Sequence, residues 1–356
     1  MSMGAGGRQR GRQSGASRRD VIAGGAALVA AAMSGPRRAW SDEPAWAKIA
    51  EDARKEGRLV VYMGITPAVP RAVTKAFEQR FSVQVDMIEG RPSAIRERIR
   101  TEQAGGRAIG DIHMSGAPTA AAEKIAGTYQ AFGPLPALAG LKPDFANDGL
   151  LLPISVSRFG ILLNTNLVKP ADEPKSWRDL LDPKWKGKLL ATDPRVGGAA
   201  QGTFMVFDEK FGRDFLRGLA DQGLVIDTDP RLATRRVAQG EYAMNFPLNI
   251  PDLNDLKGLP VKGIVPAEGA PWNPSYAMLL KNAPHPNAAR LYLNFWLEQE
   301  AQRIVASLGQ ESTTGIRMDP MPDFLTQIYD AKLLGTGDPS PAATDRAVAV
   351  FKEIYL

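Results

Sequence analysis

From residue 58 onward, short unbroken apolar runs alternate with stretches in which apolar residues recur every three or four positions. The run 58–63 (RLVVYM) has the length and composition of a buried strand. After it, Val69, Val73, Ala76, Phe77 and Phe81 fall on one helical face. Thr66 stands where an N-cap belongs and Pro67 at the first helical position. Residues 83–88 form a second strand pattern, and Glu89-Gly90-Arg91-Pro92-Ser93 leads into a helix over 94–103. A third strand over 111–115 is followed by Gly116-Ala117-Pro118-Thr119 and another helix. Three times, then, a strand ends in a short Gly/Pro/Ser/Thr turn that opens a helix, which predicts an α/β fold. In open α/β sheets the ligand crevice lies at those strand ends. Each helix start there offers unpaired N–H groups and the positive end of a dipole, which suits an anionic or polar ligand.

Around 150–158 the pattern changes. Leu150-Leu151-Leu152-Pro153-Ile154-Ser155-Val156 reads as a strand crossing to a second lobe. That lobe carries a strand over 188–192, a turn over 197–202, a helix near 202–211 and a strand over 241–246. Residues 274–280 (PSYAMLL) form the return strand, 286–308 one long amphipathic helix on the first lobe, and 343–355 a last helix. The expected organisation is two α/β lobes joined by a hinge, with a ligand cleft between them. Lobe 1 takes 42–153 plus 270–356, and lobe 2 takes 154–269.

Charge isolates the first 41 residues. They hold seven arginines against one acid, Asp20, while 42–356 has 37 basic and 38 acidic residues. The formal net charge of +5 therefore belongs to the leader, and the body shows no basic stripe that would suit nucleic acid. Within the leader an arginine-rich stretch precedes an apolar run over 21–33, which suits a signal peptide and is too short to span a bilayer. Ser17-Arg18-Arg19-Asp20-Val21-Ile22 resembles a twin-arginine export signal, and small residues at Ala39 and Ser41 permit cleavage near Ser41. A periplasmic location follows as an expectation. The absence of cysteine excludes disulfides, thiolate metal sites and cysteine nucleophiles. Only His113 and His285 are present. The first reads as a core residue inside a strand, the second as part of a surface turn, and Asp111 as a strand-start residue.

Several segments resemble the periplasmic (extracellular) solute-binding proteins of ABC importers, family 1, in the branch that includes ferric-iron binders. Residues 176–188 (SWRDLLDPKWKGK) resemble that family's W-x-D-L-x-D-P-x-W-K-G-K signature. Gly160-Ile161-Leu162-Leu163-Asn164-Thr165-Asn166-Leu167-Val168 is similar to its strand after the crossover, and Val237-Ala238-Gln239-Gly240-Glu241 to its V-x-x-G-E turn. Asn282-Ala283-Pro284-His285-Pro286-Asn287-Ala288-Ala289 with Gln302 resembles its final-lobe helix. The resemblance implies a periplasmic-binding-protein type II-like receptor that closes on a small solute and hands it to an inner-membrane ABC permease, as a monomer. The 176–188 stretch is read as structural. Ferric members use a tandem tyrosine pair after the Gly-Glu turn, often with a histidine after the first strand and an acidic ligand after the third. Here Asn249-Ile250-Pro251 falls near the pair, Tyr242 comes too early and reads as packing, and Gly64-Ile65-Thr66 and Ser115-Gly116-Ala117 supply neither histidine nor carboxylate.

Candidate ligand residues are therefore Thr66, Arg91, Ser93, Ser115, Gly116, Ser157, Arg158, Arg195, Gly197, Gly198, Asn249, Trp272, Ser275 and Tyr276. Hydroxyls, glycine amides and arginine forks suit carboxylate or phosphate oxygens. The expected solute is a small polar or anionic organic molecule: a carboxylate, phosphate ester or phosphonate. No metal, cofactor or catalytic residue is expected. A ferric receptor of the same family, a receptor that presents its ligand to a sensor kinase, and a periplasmic enzyme remain alternatives. Against an enzyme, the chain has no G-x-S-x-G, Walker or H-E-x-x-H motif.

Overall fold

The computed structural model describes residues 44–356 except 146, 197 and 322. The leader, its arginine pair and the cleavage point lie outside these residues. Residues 48–356 form one compact unit. Helix α1 (Pro44–Glu56) is followed by β1 (Arg58–Met63), α2 (Ala68–Phe81), β2 (Gln84–Glu89), α3 (Pro92–Ala104), β3 (Ile112–Gly116) and α4 (Ala117–Ile125). The long strand β4 (Leu152–Asn164) leads to β5 (Leu189–Thr192), α5 (Gly198–Phe211), α6 (Arg213–Asp221), β6 (Val225–Asp227), α7 (Pro230–Ala238), β7 (Met244–Asn249) and β8 (Val261–Ile264). The chain ends with β9 (Ala270–Leu279), α8 (Pro286–Trp296), α9 (Gln299–Ser307), α10 (Asp323–Asp330), β10 (Leu333–Gly335) and α11 (Pro341–Tyr355).

The strands lie side by side in the order β2-β1-β3-β9-β4-β7-β5-β6, with β10 on β9 and β8 on β4. Two parallel groups, β2-β1-β3 and β7-β5-β6, sit at the ends. The antiparallel strands β9 and β4 link them. The switch occurs inside β4: Leu152–Arg158 pair with β9, whereas Phe159 onward pairs with β7 and β8. Gly160 permits this change, because a β-carbon there would stand 2.4 Å from the Ile264 carbonyl oxygen of β8. The two groups have separate cores. Val60, Tyr62, Ile95, Ile99 and Met278 pack together in one, and Trp177, Phe204, Phe207, Phe215 and Phe246 in the other. This is the two-lobed α/β architecture expected from the strand–helix alternation.

The 176–188 stretch is a pair of short 3-10 turns. Ser176 and Asp179 form a capping box, and Asp182 caps the second turn. Trp177 is fully buried and its indole Nε1 donates to the Gly269 carbonyl oxygen at 2.9 Å. The aromatic anchors thus tie the entry of β9 to the second core.

Four local expectations change. Thr66 is not an N-cap: α2 begins one residue later, Pro67 occupies the cap position, and no side chain caps the helix. The 197–202 segment is not an extended turn, because α5 starts at Gly198 with φ of +63°, a conformation that favours glycine. The helix over 286–308 is two helices, since the extended backbone of Glu298 interrupts the ladder. The crossing strand does not end near 156 but runs on to Asn164. Finally, Val350 and Phe351 of α11 pack in the second core, although the 269/270 boundary groups that helix with the first lobe.

Candidate functional site

A cavity of about 480 Å³ lies where the strand-to-helix turns meet the linking strands. The turn after β1 supplies Gly64, Ile65 and Thr66, and the start of α2 adds Val69 and Pro70. Pro92 opens α3, while Gly116, Pro118 and Thr119 form the β3–α4 junction. Ile154, Ser155 and Ser157 come from β4 and Ser275 from β9. Val196, Gly198 and Gln201 come from the start of α5, and Trp296 and Gln310 complete the lining.

Register explains why the hydroxyls converge. Gly116 of β3 pairs with Ser275 of β9, and Ser275 pairs with Ser155 of β4. These three positions form one row across three strands. Ser157 lies two residues beyond Ser155, on the same face of the strand. The helices contribute backbone. None of α2, α3 or α4 has a side-chain cap, so side chains leave their first N–H groups unclaimed. The start of α5 faces them from the other lobe. Each helix start carries roughly half a positive charge.

No lining residue is ionisable. Such a site matches an anion through N–H groups, hydroxyls and helix dipoles. It offers a hard metal ion none of the carboxylates, phenolates or imidazoles that would bind it. Among the described residues, no cluster of three or more His, Asp or Glu is placed to hold a metal.

Of the residues proposed from sequence, Thr66, Gly116, Ser157, Gly198 and Ser275 line the cavity. Arg91 stands at its edge: it is the N-cap of α3, exposed, and next to the lining residue Pro92. Ser93 follows in the exposed first turn of α3, and Ser115 is fully buried one residue before Gly116. Gly197 lies outside the described residues.

The other five are engaged elsewhere. Arg158 is buried, donating to both oxygens of Glu311 at 2.5 and 3.0 Å and to the Ala331 carbonyl at 2.5 Å. Arg195 makes a forked pair with Asp193, its Nη2 at 2.6 Å. Burial would raise the Asp193 carboxyl, but Arg195 holds it below its ordinary range. The Asn249 amide donates to Asp252 at 2.9 Å. Trp272 packs edge-on against Phe145 with ring centroids 5.5 Å apart. Tyr276 packs against the first core, and burial raises its phenol. Each of these five has a structural partner where a ligand contact was expected.

Ser155, Thr119, Gln201 and Gln310 were missed. Ser155 had a signal: with Ser157 it is the polar alternation on one face of an otherwise apolar strand. Thr119 sits in a quoted turn, and Gln201 lies one helical turn inside α5. Gln310 has no local signal, since it arrives from a distant connection after α9.

The two histidines are structural. His113 is buried, its Nδ1 2.8 Å from the Tyr129 hydroxyl, and burial lowers its pKa to about 4. Asp111 accepts from the backbone N–H groups of Val60 at 2.8 Å and His285 at 2.7 Å, with the His285 ring at 2.9 Å. It thereby joins β1 to the start of α8.

Residues 129–326 match the family profile described as bacterial extracellular solute-binding protein. A provisionally named 2-aminoethylphosphonate-binding periplasmic protein of Salmonella paratyphi A is 29% identical over 297 residues, 78% of this chain and 83% of the relative. An uncharacterized protein of Haemophilus influenzae is 24% identical over 274 residues, 73% of this chain and 79% of that one. Iron-bound HitA from Pseudomonas aeruginosa superposes with a TM-score of 0.68 at 24% identity, covering 84% of this chain and 99% of its own. AfuA from Actinobacillus pleuropneumoniae, with fructose-6-phosphate bound, gives 0.65 at 22%, covering 84% and 98%. These structures share the two-lobed type II binding-protein fold. With the family profile spanning more than half of its length, the chain belongs to the bacterial extracellular solute-binding proteins.

Proposed function

We propose that this solute-binding protein captures a small organic anion in the cleft and delivers it to the membrane permease of an ABC importer. The solute class is a carboxylate, phosphate ester or phosphonate. The observation that carries this reading is the convergence of four helix starts on a cavity with serine and threonine hydroxyls and no ionisable side chain. Relatives bearing phosphonate and sugar-phosphate ligands in their names support the same chemistry. The neutral lining disfavours the ferric alternative. The role is capture and presentation, without a reaction. The proposed lobes are 42–153 plus 270–356 and 154–269, with α11 reaching across to the second core. The leader directs export to the periplasm, where the receptor acts as a monomer.

The test uses residues 42–356, stripped of bound solute by mild unfolding and refolding. A thermal-shift panel holds phosphonates, phosphate esters, mono- and dicarboxylates, sugars, ferric citrate and ferric ion with carbonate. Stabilisation by one class of organic anion is the expected result. Stabilisation by ferric ion, with a visible charge-transfer colour, would transfer the protein to the ferric group. Genomic proximity to a sensor kinase gene without a permease gene would replace delivery by signalling.

A further inference from the structure

The cleft is matched to negative charge and its lining holds no counter-charge for a positive group. Its lining contains no Asp or Glu, and the carboxylates nearby along the chain are already engaged. Glu311, next to the lining residue Gln310, is held by Arg158 at 2.5 and 3.0 Å. Asp193, three residues before Val196, is held by Arg195. Glu298, two residues past Trp296, meets Arg80 at 2.8 Å. Glu123, on the same helix as Thr119, takes Arg96 at 2.8 Å and Arg100 at 2.9 Å. Asp338 lines a small adjoining cavity that shares Pro118, Gly198 and Gln201 with the cleft. Its two oxygens accept from the Ser340 N–H and hydroxyl at 2.9 and 3.0 Å.

Beside its hydroxyls and the amides of Gln201 and Gln310, the lining is apolar. Val69, Ile154 and Trp296 are at most 4% exposed. A volume of about 480 Å³ also leaves space beside an anionic head for an organic body. An ammonium group drawn into this lining would lose water without gaining a counter-ion, and that is unfavourable.

We propose that the solute's second end is uncharged: the cleft accepts an organic anion with a neutral body and discriminates against aminoalkyl zwitterions. This rests on the organic-anion reading above. It also separates this receptor from the ligand for which its Salmonella relative is named.

Calorimetric titration with three matched phosphonates tests it. n-Propylphosphonate and 2-aminoethylphosphonate have nearly the same shape and differ in one terminal group, and 2-hydroxyethylphosphonate adds a neutral polar end. The titrations are run at an alkaline pH that keeps all three heads dianionic and the amine charged. The neutral pair is expected to bind roughly tenfold or more tightly than the amine, about 1.4 kcal/mol. Equal or tighter binding of 2-aminoethylphosphonate overturns the inference and leaves the anion site standing. Absence of binding by all three phosphonates, and by matched phosphate esters and carboxylates, removes the anion site and the inference with it. Two variants sharpen the result. Val196→Asp, at an exposed lining position, should shift the preference toward the amine by roughly tenfold. Asp338→Asn should leave the preference unchanged, and a selective loss of amine binding in that variant would name the counter-ion and defeat the inference.

Discussion

A β-carbon added at Gly116 would meet nothing within 4 Å, and its backbone φ of −74° suits any residue. The open space is the cleft itself. Gly116→Ala should therefore leave stability within about 0.5 kcal/mol of the parent. It should weaken the solute by about 1–3 kcal/mol, the usual effect of an extra methyl in a fitted site. Unchanged affinity by calorimetry would show that the solute does not reach the β3–α4 junction. The two arginines expected as anion clamps make the opposite case. Arg158 is 5% exposed and paired with Glu311, so Arg158→Ala leaves a buried carboxylate with only Lys142, at 3.5 Å, as a cationic partner. Denaturant unfolding should register a loss of about 3–5 kcal/mol. Arg195 is about a third exposed while Asp193 is buried; water can approach Asp193 once the guanidinium is gone, and Arg195→Ala should cost less stability than Arg158→Ala. In protein that remains folded, both variants should keep solute affinity within about tenfold; a larger loss would return them to the site. Sequence shows that a residue can donate a fork to an anion. It does not show that Glu311, 153 positions away, reaches the guanidinium first. That is why turn glycines and serines could be read from the sequence and arginine partners could not.

At the scale of elements, the alternating periods carried the strand–helix order, the crossing strand and the helix starts that build the cleft. They failed where a tertiary partner decides. Nothing within 286–308 marks a break, because Glu298 stops the helix through contacts outside that stretch as well as within it. Its buried carboxyl takes Arg80 of α2 at 2.8 Å and the Asn294 amide of α8 at 3.3 Å, with Glu300 on the same arginine. Burial raises the Glu298 pKa to about 7, against the opposing pull of Arg80. The folded state then holds a proton that the unfolded chain releases near its ordinary value of 4.5. This contribution is present below 4.5 and is lost as pH rises through 7. His113 acts in the other sense, because its folded pKa near 4 lies below its ordinary 6.5 and stability falls as acid is added through that window. Comparison with Glu298→Gln separates the two. Between pH 6.5 and 8 the parent should lose stability that the variant retains, read from denaturation midpoints. Parallel pH curves for the two proteins would exclude a raised Glu298.

At the scale of the molecule, three chain segments connect the two cores. Strand β4 changes partner between Arg158 and Phe159, β9 pairs with β4 up to Trp272, and the stretch between α9 and α10 brings Leu325 and Ile328 of α10 against Leu162, Val237 and Leu248, after which α11 joins the second core. A hinge motion has to bend β4 and β9 beside Arg158. That arginine also holds the carbonyl end of α10 through Ala331, so the connection into β10 is anchored at the pivot. The cavity lining comes from both sides of this pivot, with Thr66 and Gly116 on one side and Val196, Gly198 and Gln201 on the other. A solute that touches both sides gains contacts only when they approach, and closure is thus the state it stabilises. Solute at 100 times its dissociation constant should add about 2.7 kcal/mol to unfolding and raise the melting temperature by several degrees. The same solution should show a smaller radius of gyration by X-ray scattering. Gly116→Ala, at the solute concentration that half-saturates the parent, should show a smaller fraction of both changes. Full thermal stabilisation with no contraction would mean that the lobes are already closed without solute, and that the helix starts form a rigid site instead of one completed by motion.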